Sequence, residues 1–249
     1  MKQWPTRPAR APQAIGSTDW QRTIVRRVST HTLLKASSTM IGIAVFFAAY
    51  FWVLRHPIGD VTTMPVLALD RWLAFEFAAM PLYLSLWVYV SLGPALLPDR
   101  RALLGYGVAC AAIAVVGLAL FLLWPTKVPP LAAEVANHAG MAMLRGVDMS
   151  GNACPSLHVA FAVFAAAGLA RELRAIGAPR WLPALSAFWC VGIVYSTLAT
   201  RQHVVLDVVA GALLGAIVAL VHAGWERGIG RRAAVAPLPI RVRSAVGEP

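Results

Sequence analysis

The 249 residues are 59% hydrophobic and 13% charged, with a mean hydropathy of +0.66, whereas soluble domains carry about 25% charged residues. This composition excludes an ordinary soluble domain and indicates an integral membrane protein. The 22 Lys and Arg outnumber the 11 Asp and Glu and give a net charge of +11, but no basic stripe is interleaved with aromatic residues, so nucleic acid is not an expected partner.

The chain begins with a basic, polar stretch, residues 1–33, which has too little apolar surface to form a core and is predicted to be flexible. The apolar segment that follows lacks a clear small-residue cleavage site, so we interpret it as a retained helix and not as a signal peptide. Residues 34–226 form the predicted transmembrane domain. The basic tail, residues 227–249, is again predicted to be flexible.

Six apolar segments are long enough to be transmembrane helices, which need roughly 20 residues to cross about 30 Å of hydrocarbon. Their approximate bounds are 34–54, 75–97, 102–124, 157–173, 182–198 and 204–225. We therefore predict an all-α fold, an integral membrane six-helix bundle, because helices satisfy their own backbone hydrogen bonds in lipid. Six spans place both termini on the same side of the membrane.

The basic residues are divided unequally between the two sides that this topology defines. The side of the termini holds 17 Lys and Arg, and the opposite side holds five. By the positive-inside rule, both termini are cytoplasmic. We predict a multi-pass protein of a bacterial inner membrane with its site facing the periplasm, and membrane lipids are expected partners, with anionic head groups beside the basic cytoplasmic ends.

A first polar motif, Asn152-Ala-Cys-Pro-Ser-Leu-His158, lies where a long outer loop becomes the fourth helix. Pro155 and Ser156 are typical of a helix start, because proline lacks an N–H that would be unpaired there and serine can cap the free amides. That interpretation does not explain His158, which places an ionisable group at the edge of the membrane.

A second polar motif, Arg201-Gln-His-Val-Val-Leu-Asp207, opens the sixth helix. His203 and Asp207 are four residues apart and share a helical face, so the carboxylate can fix the tautomer of the imidazole. Gly211 and Gly215 continue this face, and small residues favour close helix packing, so Asp207 is predicted to face the bundle interior. A carboxylate inside a membrane helix is typical of a functional site.

Two histidines and a carboxylate at the outer ends of two helices suit phosphoryl transfer, in which one imidazole attacks phosphorus and the other protonates the leaving oxygen. The phosphate also needs positive charge or amide donors, and the start of the fourth helix offers amides. The candidate basic residues on the outer side are Lys127, Arg145 and Arg201. Each of these side chains alone is also typical of an interfacial anchor, so the spacing leaves that alternative open.

The segments Cys154-Pro-Ser-Leu-His158 and His203-x-x-x-Asp207-Val-Val-Ala-Gly together resemble the type 2 phosphatidic acid phosphatase superfamily, in particular its branch that includes inositol phosphorylceramide synthases. The resemblance implies a six-helix membrane core, lipid phosphate esters as substrates, and neither a metal nor another cofactor. It also implies that His203 is the nucleophile, Asp207 its orienting partner and His158 the general acid.

Three positions depart from the family pattern. The usual Pro-Ser-Gly-His has Leu157 in place of glycine, a form found in the inositol phosphorylceramide synthase branch. The arginine expected six residues before the nucleophile is Thr197, and the Lys-x6-Arg-Pro motif has no match beyond Lys127 and nearby prolines. The predicted phosphate-binding residues are therefore Arg201, which stands two residues before the nucleophile, with Lys127 and Ser156.

The predicted function is a metal-independent lipid phosphatase that acts through a phosphohistidine at the outer membrane face. An alternative is a phosphotransferase of the inositol phosphorylceramide synthase type, which passes the head-group phosphate of a phospholipid to an alcohol and which Leu157 favours. A third interpretation is a non-catalytic membrane protein that keeps the fold and uses Asp207 and the histidines as a proton relay, since two basic motif positions are lost.

Overall fold

The computed structural model describes residues 19–130 and 151–235, with side chains described up to residue 228. Its helices are α1 Asp19–Ser29, α2 Thr32–Arg55, α3 Ala68–Trp72, α4 Met80–Leu84, α5 Leu86–Leu96, α6 Arg100–Leu123, α7 Leu157–Ala175, α8 Trp181–Ala199 and α9 Val205–Val235. A 3-10 turn at Phe77–Ala79 precedes α4, and two short strands, β1 (Thr62–Thr63) and β2 (Thr126–Lys127), pair in parallel. The fold is mostly helical, as predicted, and the strand pair is an addition to the all-α prediction.

Five segments in the described part of the chain are long and apolar enough to cross a membrane. They are Thr32–Arg55, Phe77–Leu96, Arg100–Leu123, Trp181–Ala199 and Val205–Gly228. Their outward faces are apolar: Met40, Val108 and Phe188 expose 71%, 62% and 76% of their surface. Contiguous apolar surface of this kind suits lipid and not water. The chain is therefore a multi-pass membrane protein.

The fourth predicted span differs from the other five. It forms helix α7, but the apolar run is interrupted in its last turns by Arg171, Glu172 and Arg174. Helix α7 is also enclosed by the bundle, since it packs against α5, α6, α8 and α9. The prediction of six spanning helices with both termini in the cytoplasm therefore stays a prediction.

The hydrophobic core lies on both sides of α7. On one side, residues of α2, α6 and α9 pack against it around Ile113 and Phe164. On the other side, residues of α5 and α8 pack against it around Tyr89 and Ile193. Tyr89, Ile113 and Ile193 have no exposed surface. Helix α7 is thus fixed between two layers, and the position of its first turn is determined by the whole bundle.

Helix α1 occupies residues 19–29 of the stretch predicted to be flexible. Its Ile24 packs against the cluster that α5, α7 and α8 form, and Arg27 makes an ion pair of 2.7 Å with Glu172 of α7. These partners are distant in sequence, so composition alone does not reveal them. Helix α9 similarly continues to Val235, beyond the predicted start of the tail. Residues 1–18 and 236–249 lie outside the described residues.

The two strands join three loops at one end of the bundle, which we call the strand end. Thr62 pairs with Thr126, and Lys127 forms a bridge with Gly151. A small apolar cluster at this end joins these loops to the start of α9; its buried members are Met64, Val128, Ala153, Cys154 and Val204. The loops that precede α7 and α9 are therefore held in one layer.

Candidate active site

The first turns of α7 and α9 meet directly at the strand end. Ser156 is the N-cap of α7, and its Oγ accepts a hydrogen bond of 3.3 Å from the N–H of Val159. Its own N–H donates to the carbonyl oxygen of Asp207 at 2.9 Å. The helix-start interpretation of Ser156 is confirmed, and the same residue joins the two helices.

Two glycines of α9 allow this close approach. A Cβ at Gly211 would lie 2.2 Å from the carbonyl oxygen of Ser156, and one at Gly215 would lie 2.3 Å from that of Ala160. Neither position has room for a side chain, so α9 touches the backbone of α7. The predicted packing face is confirmed, and Asp207, which has no exposed surface, faces the bundle interior as expected.

His203 lies in the turn that precedes α9 and not on the helix as predicted, but its side chain still pairs with that of Asp207 in the first turn. Nδ1 of His203 lies 3.5 Å from Oδ2 of Asp207, which is an ion-pair separation, and Oδ2 also accepts from the N–H of Val204 at 3.1 Å. Nδ1 of His203 and Oδ1 of Asp207 are buried and make no hydrogen bond with any residue that the structure describes. Catalytic hydrogen bonds are often long before substrate binds and tighten in the complex. Because Nδ1 faces Asp207, Nε2 is the ring nitrogen of His203 that can contact a ligand in the cleft.

His158 is oriented by α4 and α5. Its Nε2 lies 3.1 Å from the carbonyl oxygen of Tyr83, and because a carbonyl only accepts, this nitrogen carries a proton and donates it. The ring stacks on the Tyr83 ring with centroids 4.1 Å apart, and the Trp87 ring stands edge-on at 6.4 Å. Nδ1 is therefore the ring nitrogen of His158 that can exchange a proton with a ligand.

Both histidines line one cleft, which is open to the surface at its mouth. Most of the remaining wall is aromatic and comes from α2, α4, α5, α6 and α7. These wall residues are Phe46, Phe47, Tyr50, Phe51, Tyr83, Trp87, Phe121 and Phe161. Asn152 and Gln202 add polar groups near the histidines. The cleft thus combines a polar end with an apolar body.

The predicted phosphate ligands lie around this cleft and not in its wall. The guanidinium of Arg201 donates to the carbonyl oxygens of Asp70 and Leu73, each at 2.5 Å. Lys127 is exposed on β2, and Ser156 has no exposed surface. The predicted roles of these three residues at the phosphate stay predictions.

No lysine or arginine lines the cleft within residues 19–130 and 151–228. Arg145, the remaining basic candidate, lies outside the described residues. In the same described part of the chain, no three His, Cys, Asp or Glu side chains come together as a metal site. Apart from the two histidines, the polar donors that the described wall offers a phosphate are therefore neutral.

Asp70 is a residue of this region that the sequence analysis missed. It lies in helix α3, is only 3% exposed, and accepts a 2.8 Å hydrogen bond on Oδ1 from the N–H of Val205, the first residue of α9. Nothing in the sequence spacing relates residue 70 to residue 205. The one available signal was a carboxylate in a largely apolar outer loop.

Cys154 is buried beside the pair, and its N–H donates to Oγ1 of Thr126 at 2.9 Å. Burial raises the pKa of the Cys154 thiol to about 11, and the negative charge of Asp207 acts in the same direction. The thiol is therefore protonated at neutral pH, so it is a neutral neighbour of the carboxylate.

Comparison with protein families gives one match, the PAP2 superfamily, over residues 102–229. The chain belongs to the PAP2 superfamily. Comparison with curated proteins and with solved structures finds no match. PAP2 superfamily members are generally phosphatases that act on phosphate esters. The resemblance to the superfamily is confirmed, and the branch that includes inositol phosphorylceramide synthases stays a prediction.

The PAP2 superfamily match runs from α6 into α9 and includes both histidine motifs. It does not reach α2, which supplies much of the aromatic wall, or α3, which holds Asp70. Those parts of the site are therefore described by the structure of this chain alone.

Proposed function

We propose that this PAP2 superfamily protein is a membrane lipid phosphatase that hydrolyses a lipid phosphate or diphosphate through a phosphohistidine. The observation that carries the proposal is that His158 and His203 line one cleft whose remaining wall is mainly aromatic. A phosphate ester with a hydrocarbon body matches both parts of this cleft, because the ester is polar and the body is apolar.

In the first step, Nε2 of His203 attacks phosphorus, and a P–N bond forms as the P–O bond to the lipid breaks. His158 enters this step doubly protonated, beside the negative charge of the bound phosphate. It gives the Nδ1 proton to the leaving oxygen and becomes neutral, so the lipid departs as an alcohol. Asp207 holds the proton on Nδ1 of His203, which keeps the lone pair on Nε2, and it stabilises the positive charge that the ring gains.

In the second step, water attacks the phosphorus of the phosphohistidine, and the P–N bond breaks. His158, now neutral, accepts the proton that the water loses. Phosphate leaves, and both imidazoles return to their starting protonation states. The hydrogen bond from Nε2 of His158 to the Tyr83 carbonyl is kept through both steps, so the ring stays aligned while Nδ1 moves the proton.

We further propose that the strand end faces the periplasm of a bacterial inner membrane. The support is the uneven distribution of basic residues, because the predicted outer side has five Lys and Arg against 17 on the other side. In this orientation the substrate is a lipid of the outer leaflet.

The test is phosphate release by the purified protein in mixed micelles from phosphatidic acid, phosphatidylglycerol phosphate and a polyprenyl diphosphate. We expect His203→Ala to lower turnover of the preferred lipid by about 10⁴-fold or more, as loss of a catalytic nucleophile does. His56→Ala is the matched control, since His56 is exposed at the end of α2 and does not line the cleft. Equal turnover in wild type and His203→Ala would contradict the proposal, and turnover at the protein-free background in both would favour a non-catalytic role.

A head-group phosphotransferase is the second candidate, and the absence of lysine and arginine from the described cleft wall favours it. A phosphodiester carries one negative charge at neutral pH, whereas a phosphate monoester carries about 1.5 to 2. A single charge costs less to place where no lysine or arginine lines the wall. The assay supplies phosphatidylinositol with ceramide as acceptor. Inositol phosphoceramide and diacylglycerol as products, without monoester hydrolysis, would establish transfer, and phosphatidic acid hydrolysis without transfer would establish the phosphatase.

A further inference from the structure

Helix α3 holds the start of the catalytic helix through Asp70. The Asp70 carboxylate accepts two backbone hydrogen bonds of 2.8 Å, on Oδ1 from the N–H of Val205 and on Oδ2 from the N–H of Leu67. The first N–H groups of a helix have no partner within it. Val204 and Val205 have no polar side chain that could act as an acceptor. The Asp207 carboxylate accepts from the N–H of Val204, and the Asp70 carboxylate accepts from the N–H of Val205.

Arg201 makes the reciprocal contact. Its guanidinium donates to the carbonyl oxygens of Asp70 and Leu73, which lie at the carboxyl end of α3, where carbonyls also lack helical partners. Helix α3 and its C-cap therefore contact the turn on both sides of His203. The Asp70 carboxylate accepts from the N–H of Val205, and the carbonyl oxygens of Asp70 and Leu73 accept from the Arg201 guanidinium. Neither Asp70 nor Arg201 lines the described cleft.

We propose that Asp70 and Arg201 are positioning residues, which hold the turn of residues 201–205 so that His203 is aligned for attack on phosphorus. This inference rests on the proposed function. Two fixed points, each two residues from the nucleophile, restrict its backbone, and a displacement of about 1 Å at a reacting group can lower the rate about 10²-fold. The effect falls on kcat, because the aromatic wall that binds the lipid is unchanged.

The first variant is Asp70→Asn, which keeps the volume of the side chain but has one oxygen acceptor in place of two. We expect kcat for the best lipid of the panel to fall ten- to 100-fold, with KM within threefold and the melting temperature nearly unchanged. Hydrogen exchange should accelerate at residues 203–206 and stay the same in α6. Arg71→Gln is the matched control, since Arg71 is exposed on the same helix, and its kcat should stay within twofold of wild type.

The second variant is Arg201→Lys, which separates positioning from phosphate binding. A lysine is a compact point charge on a flexible stem, so it keeps the charge but not the planar fork with which the guanidinium reaches both carbonyls. If Arg201 has a positioning role, Arg201→Lys should lose as much kcat as Arg201→Gln. If Arg201 binds the phosphate, the charge that lysine retains should largely restore kcat. The inhibition constant of inorganic phosphate should then also return to the wild-type value.

The outcomes separate the two proposals. An active wild type, an inactive His203→Ala and an Asp70→Asn with unchanged kcat would overturn the positioning role and leave the proposed function standing. Rescue by Arg201→Lys would overturn the role of Arg201. Equal turnover in wild type and His203→Ala would overturn the proposed function itself, and the positioning role with it.

Discussion

At the scale of single residues, the site depends on two histidines whose partners differ in kind. His203 is paired with a carboxylate four residues later in the chain, so sequence spacing predicts the pair, although His203 lies two residues before α9 begins. His158 is oriented by the carbonyl and ring of Tyr83, from a segment 75 residues earlier in the chain. No spacing rule predicts that contact, because it depends on how α4 packs beside α7.

Asp207→Asn tests the orienting carboxylate. We expect turnover to fall by up to about 10⁴-fold, as when the orienting aspartate of a histidine is replaced, because the amide does not hold the imidazole in the reactive tautomer. The amide oxygen can still accept from the N–H of Val204, so the melting temperature should change little. Asp60→Asn, at an exposed loop position, is the control; a loss under threefold in Asp207→Asn would exclude the orienting role.

Cys154 gives a pH-dependent probe of the same region. Because burial raises the pKa of its thiol to about 11, only a small fraction is thiolate at pH 7.5, and alkylation by N-ethylmaleimide should be slow. The labelling rate, followed by mass spectrometry with Cys154→Ser to assign the site, should rise about tenfold per pH unit up to that pKa. A rate that levels off near pH 8.5 would mean that the thiol has an ordinary environment.

At the scale of elements, the contact between α7 and α9 sets the distance between the two histidine motifs. The glycine spacing along α9 predicted a close helix contact, and the structure adds its partner, the backbone of the first turns of α7. The role of α3 was not predictable, since a five-residue helix in a loop has no periodicity to recognise. Long apolar helices were predicted well because their composition alone determines them, whereas contacts between loops depend on the assembled bundle.

Gly211→Ala tests this contact. The added methyl group would lie 2.2 Å from the Ser156 carbonyl oxygen, so α9 must move away from α7. We expect a cost of about 1–3 kcal/mol in stability, as overpacking typically gives, and at least a tenfold loss of turnover. Gly107→Ala is the matched control, because a Cβ there meets open space on α6. If both variants have the same melting temperature and activity, the close contact does not determine the site.

At the scale of the whole molecule, the charge distribution predicts orientation, and the structure identifies which residues mark each end. Asp60 is exposed near the strands, whereas Arg100 is exposed at the start of α6. The 24 residues of α6 have a length of about 36 Å, enough to cross the hydrocarbon core. These two positions therefore report on opposite sides of the membrane.

Single cysteines at these positions test the orientation in a background that lacks Cys110, Cys154 and Cys190. We expect Asp60→Cys to react with a membrane-impermeant maleimide in intact cells and Arg100→Cys to react only after lysis. The reverse pattern would place the strand end in the cytoplasm and contradict the periplasmic site.

His203 is expected to hold the phosphoryl group during turnover, and capture of that phosphohistidine tests this step. The purified protein is mixed with phosphatidic acid labelled with ³²P in its phosphate, quenched in base, where phosphohistidine is stable, and digested for mass spectrometry. We predict label on the peptide that contains His203, absent in His203→Ala and present in His56→Ala. Turnover of the lipid by wild type without label on that peptide, or with label on another residue, would contradict the account.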